Sequence, residues 1–114
     1  MKKRSRVTYD TVRRLALAFP NVEESTSYGT PALKVKGKLF VRQHEDRDVI
    51  VIKVAFDQRE EMMAADPETY FITDHYLEYE WMLVRLSRVQ LEDPLSDLLR
   101  ASYRAALPTK RRRV

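Results

Sequence analysis

From Ala32 to His44 the chain alternates. Leu33, Val35, Leu39 and Val41 are apolar, and Lys34, Lys36, Lys38, Arg42 and His44 are polar. A period of two belongs to a strand with one packed face and one wet face, because successive side chains leave opposite sides of the backbone. Gly37 stands in the middle of the run, where a reversal needs a residue free to take positive φ, so the segment reads as a β-hairpin. Glu45-Asp46-Arg47-Asp48 supplies the next turn, and Val49–Val54 a third strand. A half-buried antiparallel sheet then constrains the rest of the chain, which must supply the layer that covers its apolar face.

Two helices meet that need. Val12, Leu15, Ala16 and Phe19 fall at i, i+3, i+4 and i+7, with Thr8 as N-cap, Asp10 in the first turn and Pro20 as the stop. Near the other end Asp93-Pro94 opens a helix carrying Leu95, Leu98, Leu99 and Ser102 on one face, ended by Pro108. Between Pro20 and Pro31 the residues are polar, so a connecting loop with a turn at Tyr28-Gly29-Thr30-Pro31 is expected. A short helix over Gln58–Ala65, capped by Asp57 and stopped by Asp66-Pro67, an extended piece at Tyr70–Ile72 and a strand over Trp81–Leu86 complete the order. The expected fold is α+β: a two-layer domain with the N- and C-terminal helices on one face of an antiparallel sheet, spanning residues 1–109 and followed by a basic, disordered tail at 110–114.

Strand parity divides the sheet residues. If Leu33, Val35, Leu39, Val41, Ile50, Ile52, Val54, Met82, Val84 and Leu86 face the helices, the other face shows Lys34, Lys36, Lys38, Phe40, Arg42, His44, Lys53, Trp81, Leu83 and Arg85. Cations interleaved with flat rings can neutralise phosphates and stack on bases. The same pattern also describes a solvated face whose lysines discourage edge pairing.

The net charge of +4 is unevenly spread. Residues 1–14 hold Lys2, Lys3, Arg4, Arg6, Arg13 and Arg14 against Asp10, the tail adds Lys110, Arg111, Arg112 and Arg113, and residues 15–109 carry −5. Cationic ends raise affinity for any polyanion by counterion release, or simply solubilise a flexible terminus. Absent cysteine excludes disulfides, thiolate metal sites and a thiol nucleophile. No apolar run approaches the roughly 20 residues of a membrane span, and Met1-Lys2-Lys3-Arg4 leads into polar sequence, so a cytoplasmic location is expected.

Catalytic signatures are missing: no glycine-rich phosphate loop, no Gly-x-Ser-x-Gly elbow, no His-Glu-x-x-His helix. Only His44 and His75 offer imidazole and the carboxylates lack ligand spacing, so neither a metal nor a cofactor is expected. Thr73-Asp74-His75-Tyr76 beside Trp81 is a second candidate: polar and aromatic groups suited to lining a small-molecule pocket, or a loop histidine that is merely hydrogen-bonded. Met62-Met63 reads as packing.

Several segments carry a family resemblance. They are Phe19-Pro20-Asn21-Val22-Glu23-Glu24, the stretch Tyr28-Gly29-Thr30-Pro31-Ala32-Leu33-Lys34-Val35-Lys36-Gly37-Lys38-Leu39-Phe40, Ala65-Asp66-Pro67-Glu68-Thr69-Tyr70-Phe71, Trp81 to Leu86 and Leu98 to Tyr103. In this order they resemble the MmcQ/YjbR group of small bacterial proteins. The resemblance implies a fold similar to frataxin and binding of DNA through projecting hairpin-like wings. Many members have a glycine, often with a basic neighbour, just before the tryptophan, where this chain has Leu77-Glu78-Tyr79-Glu80-Trp81 and added negative charge. Iron-binding frataxin-like proteins are acidic along the first helix, whereas here Asp10 stands against Arg13 and Arg14.

The expectation is a non-enzymatic protein contacting DNA through Lys34, Lys36, Lys38, Phe40, Arg42, Lys53, Trp81 and Arg85, assisted by Lys2, Lys3, Arg4 and the 110–113 cations. The alternative is a protein-interaction or small-ligand module using His75, Tyr76 and Trp81.

Overall fold

The computed structural model describes residues 7–107. In chain order these form α1 (Tyr9–Leu17), β1 (Val22–Ser27), β2 (Thr30–Val35), β3 (Lys38–Gln43), β4 (Val49–Lys53), α2 (Phe56–Ala65), β5 (Tyr70–Phe71), β6 (Trp81–Arg85) and α3 (Glu92–Ala106). Single 3₁₀ turns lie at Asp74–Tyr76 and Leu86–Arg88. Pro108 and the expected basic cations at 2–4 and 110–113 lie outside the described residues.

All six strands make one antiparallel sheet in the order β1-β2-β3-β4-β6-β5. Helices α1 and α3 pack on each other and on one face of it, which is the α+β arrangement expected. Their stripes enter the main core: Val12 and Ala16 from α1, Leu95, Leu98, Leu99 and Ala106 from α3. Leu33, Val35, Ile50, Ile52, Met82 and Val84 meet them from the sheet. Ser102, fully buried on α3, donates from Oγ to the Phe40 carbonyl at 2.9 Å, so its hydroxyl is satisfied within the core. Phe19 lies beyond the end of α1 and packs its ring 4.9 Å from that of Tyr103.

Three departures from the sequence reading matter. First, the 20–31 connection contains a strand: β1 pairs with β2 along Val22↔Val35 through Ser27↔Thr30. Its sequence Val-Glu-Glu-Ser-Thr-Ser gives no apolar alternation because it is an edge strand, exposed along much of its length. It holds its place by backbone hydrogen bonds and by the two-pronged Arg13–Glu24 pair at 2.8 and 2.9 Å.

Second, both hairpins close through two-residue turns with positive φ at each central position: Tyr28 (54°) and Gly29 (77°), then Lys36 (50°) and Gly37 (81°). This matches type I′, whose twist suits paired strands. Lys36 is therefore a turn-tip residue and does not sit on a strand face.

Third, the β2–β3 register slips by one residue. Leu33 faces Val41 and Lys34 faces Leu39, which leaves Phe40 as the extra residue of a β-bulge. The bulge turns Phe40 and Val41 to the same side. Phe40 is fully buried under α3, with its ring 5.9 Å from Tyr103, and it is absent from the open face where the alternation put it. Leu39 takes the reverse path and lines the other side of the sheet. Lys38, paired across from core residue Val35, also leaves the open face. Uninterrupted parity holds only for a regular ladder; one inserted residue inverts it for part of the strand.

Candidate ligand cleft on the second face of the sheet

The face turned away from α1 and α3 is not simply solvated. Val49, Val51 and Leu83 are buried there in a second, smaller core with Phe71, Tyr76 and Trp81 packed around them. Ala32, Arg42, Val51, Leu83 and Phe71 follow one another across the strands in register. The β5–β6 connection covers part of this row, with its 3₁₀ turn laying Tyr76 over the valines.

Arg59 on α2 holds that connection down. The residue is 2% exposed, and its guanidinium donates through Nη1 to the carbonyls of Tyr76 (3.1 Å), Tyr79 (2.7 Å) and Trp81 (3.0 Å), and through Nη2 to that of Leu77 (3.0 Å). Phe56 stacks 4.9 Å from the guanidinium carbon, and Nε lacks a partner. A loop with several inward carbonyls needs donors that water cannot supply there, and the forked guanidinium supplies them. Within Arg59-Glu60-Glu61 this arginine reads as an ordinary surface charge of a short helix, so the sequence reading missed it.

Arg42 lies at the base of the cleft, with its side chain 6% exposed. Nη1 donates to Thr30 Oγ1 and to the Gln43 carbonyl, both at 3.1 Å, and Nη2 donates to Tyr76 Oη at 3.0 Å. Thr30 Oγ1 in turn donates to the Ser27 carbonyl at 2.9 Å. The Tyr28 ring lies 5.1 Å from the guanidinium carbon, a cation–π contact that offsets part of the strain of a tyrosine at positive φ. The nearest carboxylate, Glu45, is 3.8 Å from Nη1 and itself 62% exposed. A backbone N–H, and then Arg42 and His44, hold the Glu45 carboxyl below the usual carboxylate range.

Around this cation Tyr28, Leu39, Val51, His75, Tyr76, Tyr79 and Trp81 line an open-mouthed cleft of about 280 Å³, with the exposed Tyr28 and Tyr79 among its walls. The His75 ring meets Tyr76 edge-on at 4.6 Å. The three residues expected at the loop, His75, Tyr76 and Trp81, thus share one concavity with Arg42, which the sequence reading had assigned to a different site. A larger hollow of about 450 Å³ lies near the start of α3, where Thr69 Oγ1 donates to Asp66 at 2.8 Å, Ser87 Oγ donates to Asp48 at 2.6 Å and Arg88 pairs with Glu68 at 3.0 Å.

The other expected contacts are scattered. Lys53 and Trp81 are cross-strand partners, with Nζ 5.3 Å from the indole centre. Arg85 lies 4.5 Å from the Phe71 ring and donates from Nε to the Glu68 carbonyl at 3.0 Å. Lys34 is half-buried between Glu23 and Leu39. The continuous basic stripe expected over Lys34, Lys36, Lys38, Arg42, Lys53 and Arg85 is thus broken at Lys36, at Lys38 and at the enclosed Arg42. Residues 7–107 carry a net −4, and three of their acids, Asp74, Glu78 and Glu80, stand on the covering loop. Among the described residues no cluster of His, Asp or Glu has the makings of a metal site, and no helix is long and apolar enough to cross a membrane.

Comparison with known proteins agrees with the fold. The crystal structure of Deinococcus radiodurans protein DR2400, with a DUF419 domain, superposes with a TM-score of 0.73 at 25% identity, covering 85% of this chain and 76% of that one. No curated protein matches the chain. The YjbR family model matches residues 17–105, from the end of α1 through the last turns of α3, and so includes both hairpins, the covering loop and every residue of the cleft. The chain therefore belongs to the YjbR family.

Proposed function

We propose that this protein is a non-enzymatic binding module whose working site is the aromatic cleft beneath the β5–β6 loop, and that it takes a small planar molecule of one or two rings. The observation that carries this reading is the convergence of Tyr28, Tyr76, Tyr79 and Trp81 on one concavity built on a sheet and pinned by Arg59. Aromatic walls with a few fixed polar groups favour planar ligands, and about 280 Å³ lies at the small end of ligand sites. The lining offers stacking surfaces and hydrogen-bond donors. His75 touches a tyrosine ring and is not paired with a carboxylate, so the arrangement supports recognition more than proton transfer.

A second reading, DNA binding, draws on the family resemblance and on Lys53 and Arg85, each lying beside an aromatic ring on this same face. The terminal cations would add a salt-sensitive attraction to any polyanion. Against it stand the inward turn of Phe40, the enclosure of Arg42 and the acidic loop.

Nitrogen-15 NMR of the full chain separates the two. Titration with a panel of one- and two-ring aromatic compounds is expected to shift the Trp81 indole N–H and the amides of Tyr28, Arg42, His75, Tyr76 and Tyr79. A silent cleft, together with shifts at Lys34, Lys53, Arg85 and the chain ends on adding a short duplex at near-physiological salt, would replace the first reading with the second.

A further inference from the structure

We infer that the molecule taken by the cleft is an aromatic carboxylate, whose anionic group is received by the Nε/Nη2 edge of Arg42 while its ring lies among Tyr28, Tyr79 and Trp81. This rests on the cleft being the binding site, and adds to it the chemistry of the ligand.

Three observations converge. Arg42 is enclosed, yet the acceptors it meets at hydrogen-bond distance are neutral: a threonine hydroxyl, a tyrosine hydroxyl and a backbone carbonyl. Its one carboxylate neighbour among the described residues, Glu45, stands at 3.8 Å, exposed to water, where an ion pair contributes little. A cation removed from water without a close counter-ion is costly, and an anion entering the cleft would supply what the fold withholds.

The second observation is the pattern of those bonds. Both Nη1 contacts and the one Nη2 contact go to protein, and none of them uses Nε. The Nε–H and adjacent Nη2–H are the prongs that a carboxylate accepts from side by side. The guanidinium is already held in plane by Thr30, Gln43, Tyr76 and the Tyr28 ring, so little freedom is lost when the anion arrives.

The third is what surrounds it. Phosphate sites collect several donors, commonly the backbone N–H groups of a helix N-terminus or a glycine-rich loop. This lining instead has one guanidinium, rings and aliphatic side chains in a small volume, which fits a single monoanionic group on a flat apolar body.

The test uses the full chain and NMR titration with benzoate and 2-naphthoate beside their neutral isosteres, benzamide and 2-naphthamide. Each acid is expected to bind about tenfold tighter than its amide or better, as a charge-assisted pair contributes over a neutral one. The difference should collapse in Arg42→Met and be only partly kept in Arg42→Lys, which retains the charge and loses the fork. Because Arg42 also ties strands together, the acid–amide comparison on the unaltered chain decides the matter if those variants do not fold. Amides binding as tightly as acids would overturn the carboxylate assignment and leave the aromatic cleft standing. Phenyl phosphate displacing benzoate with higher affinity would overturn it in favour of a phosphate. No binding of any of these compounds, with the chain folded, would remove the cleft reading itself.

Discussion

Arg42 Nη2 donates to Tyr76 Oη at 3.0 Å and joins a central strand to a turn 34 residues further along the chain. Through this bond the cation that forms the base of the cleft also positions one of its walls. Replacing Tyr76 by Phe removes the acceptor but keeps the ring over Val49 and Val51. A loss of about 1–3 kcal/mol in urea denaturation is expected, the cost of leaving a charged donor short of a partner. Faster amide exchange should be confined to residues 73–80, since the main core is untouched.

Arg59 should matter more. Arg59→Met keeps the length of the side chain on α2 and abandons four carbonyls at once. Equilibrium unfolding should show a loss of about 2–4 kcal/mol. Arg59→Lys should recover only part of it, because an ammonium group cannot span acceptors distributed over both arms of a guanidinium. Aromatic ligands should bind poorly to either variant, since the loop that forms the cleft is released.

The bulge makes an ordering testable. Phe40→Ala should cost about 3–5 kcal/mol, as expected for a fully buried ring under α3. Leu39→Ala should cost clearly less in the same chemical denaturation series, because Leu39 is only half-buried and borders the cleft. A regular two-residue alternation through β3 gives the opposite order.

Tyr9 sets a limit on alkaline stability. Burial, and then the nearby Glu24 carboxylate, push its phenol up from 10.0 to about 12. The folded chain therefore keeps this proton where the unfolded chain has released it. The associated stability is complete below pH 10.0, and is lost progressively as pH rises through about 12. It amounts to about 2–3 kcal/mol. Denaturation midpoints between pH 9 and 12 should fall steeply, and less so in Tyr9→Phe once its own baseline stability is subtracted. Phenolate absorbance should show Tyr9 titrating late, alongside Tyr70, whose phenol is also pushed up by burial and by the nearby Asp66 carboxylate.

Much of the architecture was legible in the residues. The stripes Val12, Ala16 and Leu95, Leu98, Leu99 placed two helices, and the reversal at Gly37 placed a hairpin, because a side-chain period and a left-handed turn are local properties of the backbone. The polar strand β1 was not legible, since an edge strand draws its stability from its neighbour's unpaired backbone groups and needs little apolar patterning of its own. A signal for the covered second face was present in Val49-Ile50-Val51-Ile52, four consecutive apolar residues of a strand that is buried on both sides.

The site divides in the same way. Sequence by itself determined that His75, Tyr76 and Trp81 lie near one another, being within seven positions along the chain. Only the tertiary structure joined them to Arg42 and Tyr28, turned Phe40 inward and assigned Arg59 to the loop. Those outcomes depend on register, on one inserted residue in β3 and on contacts between segments distant in sequence. A charged side chain carries no local mark of whether it will meet water, a ring or a row of carbonyls.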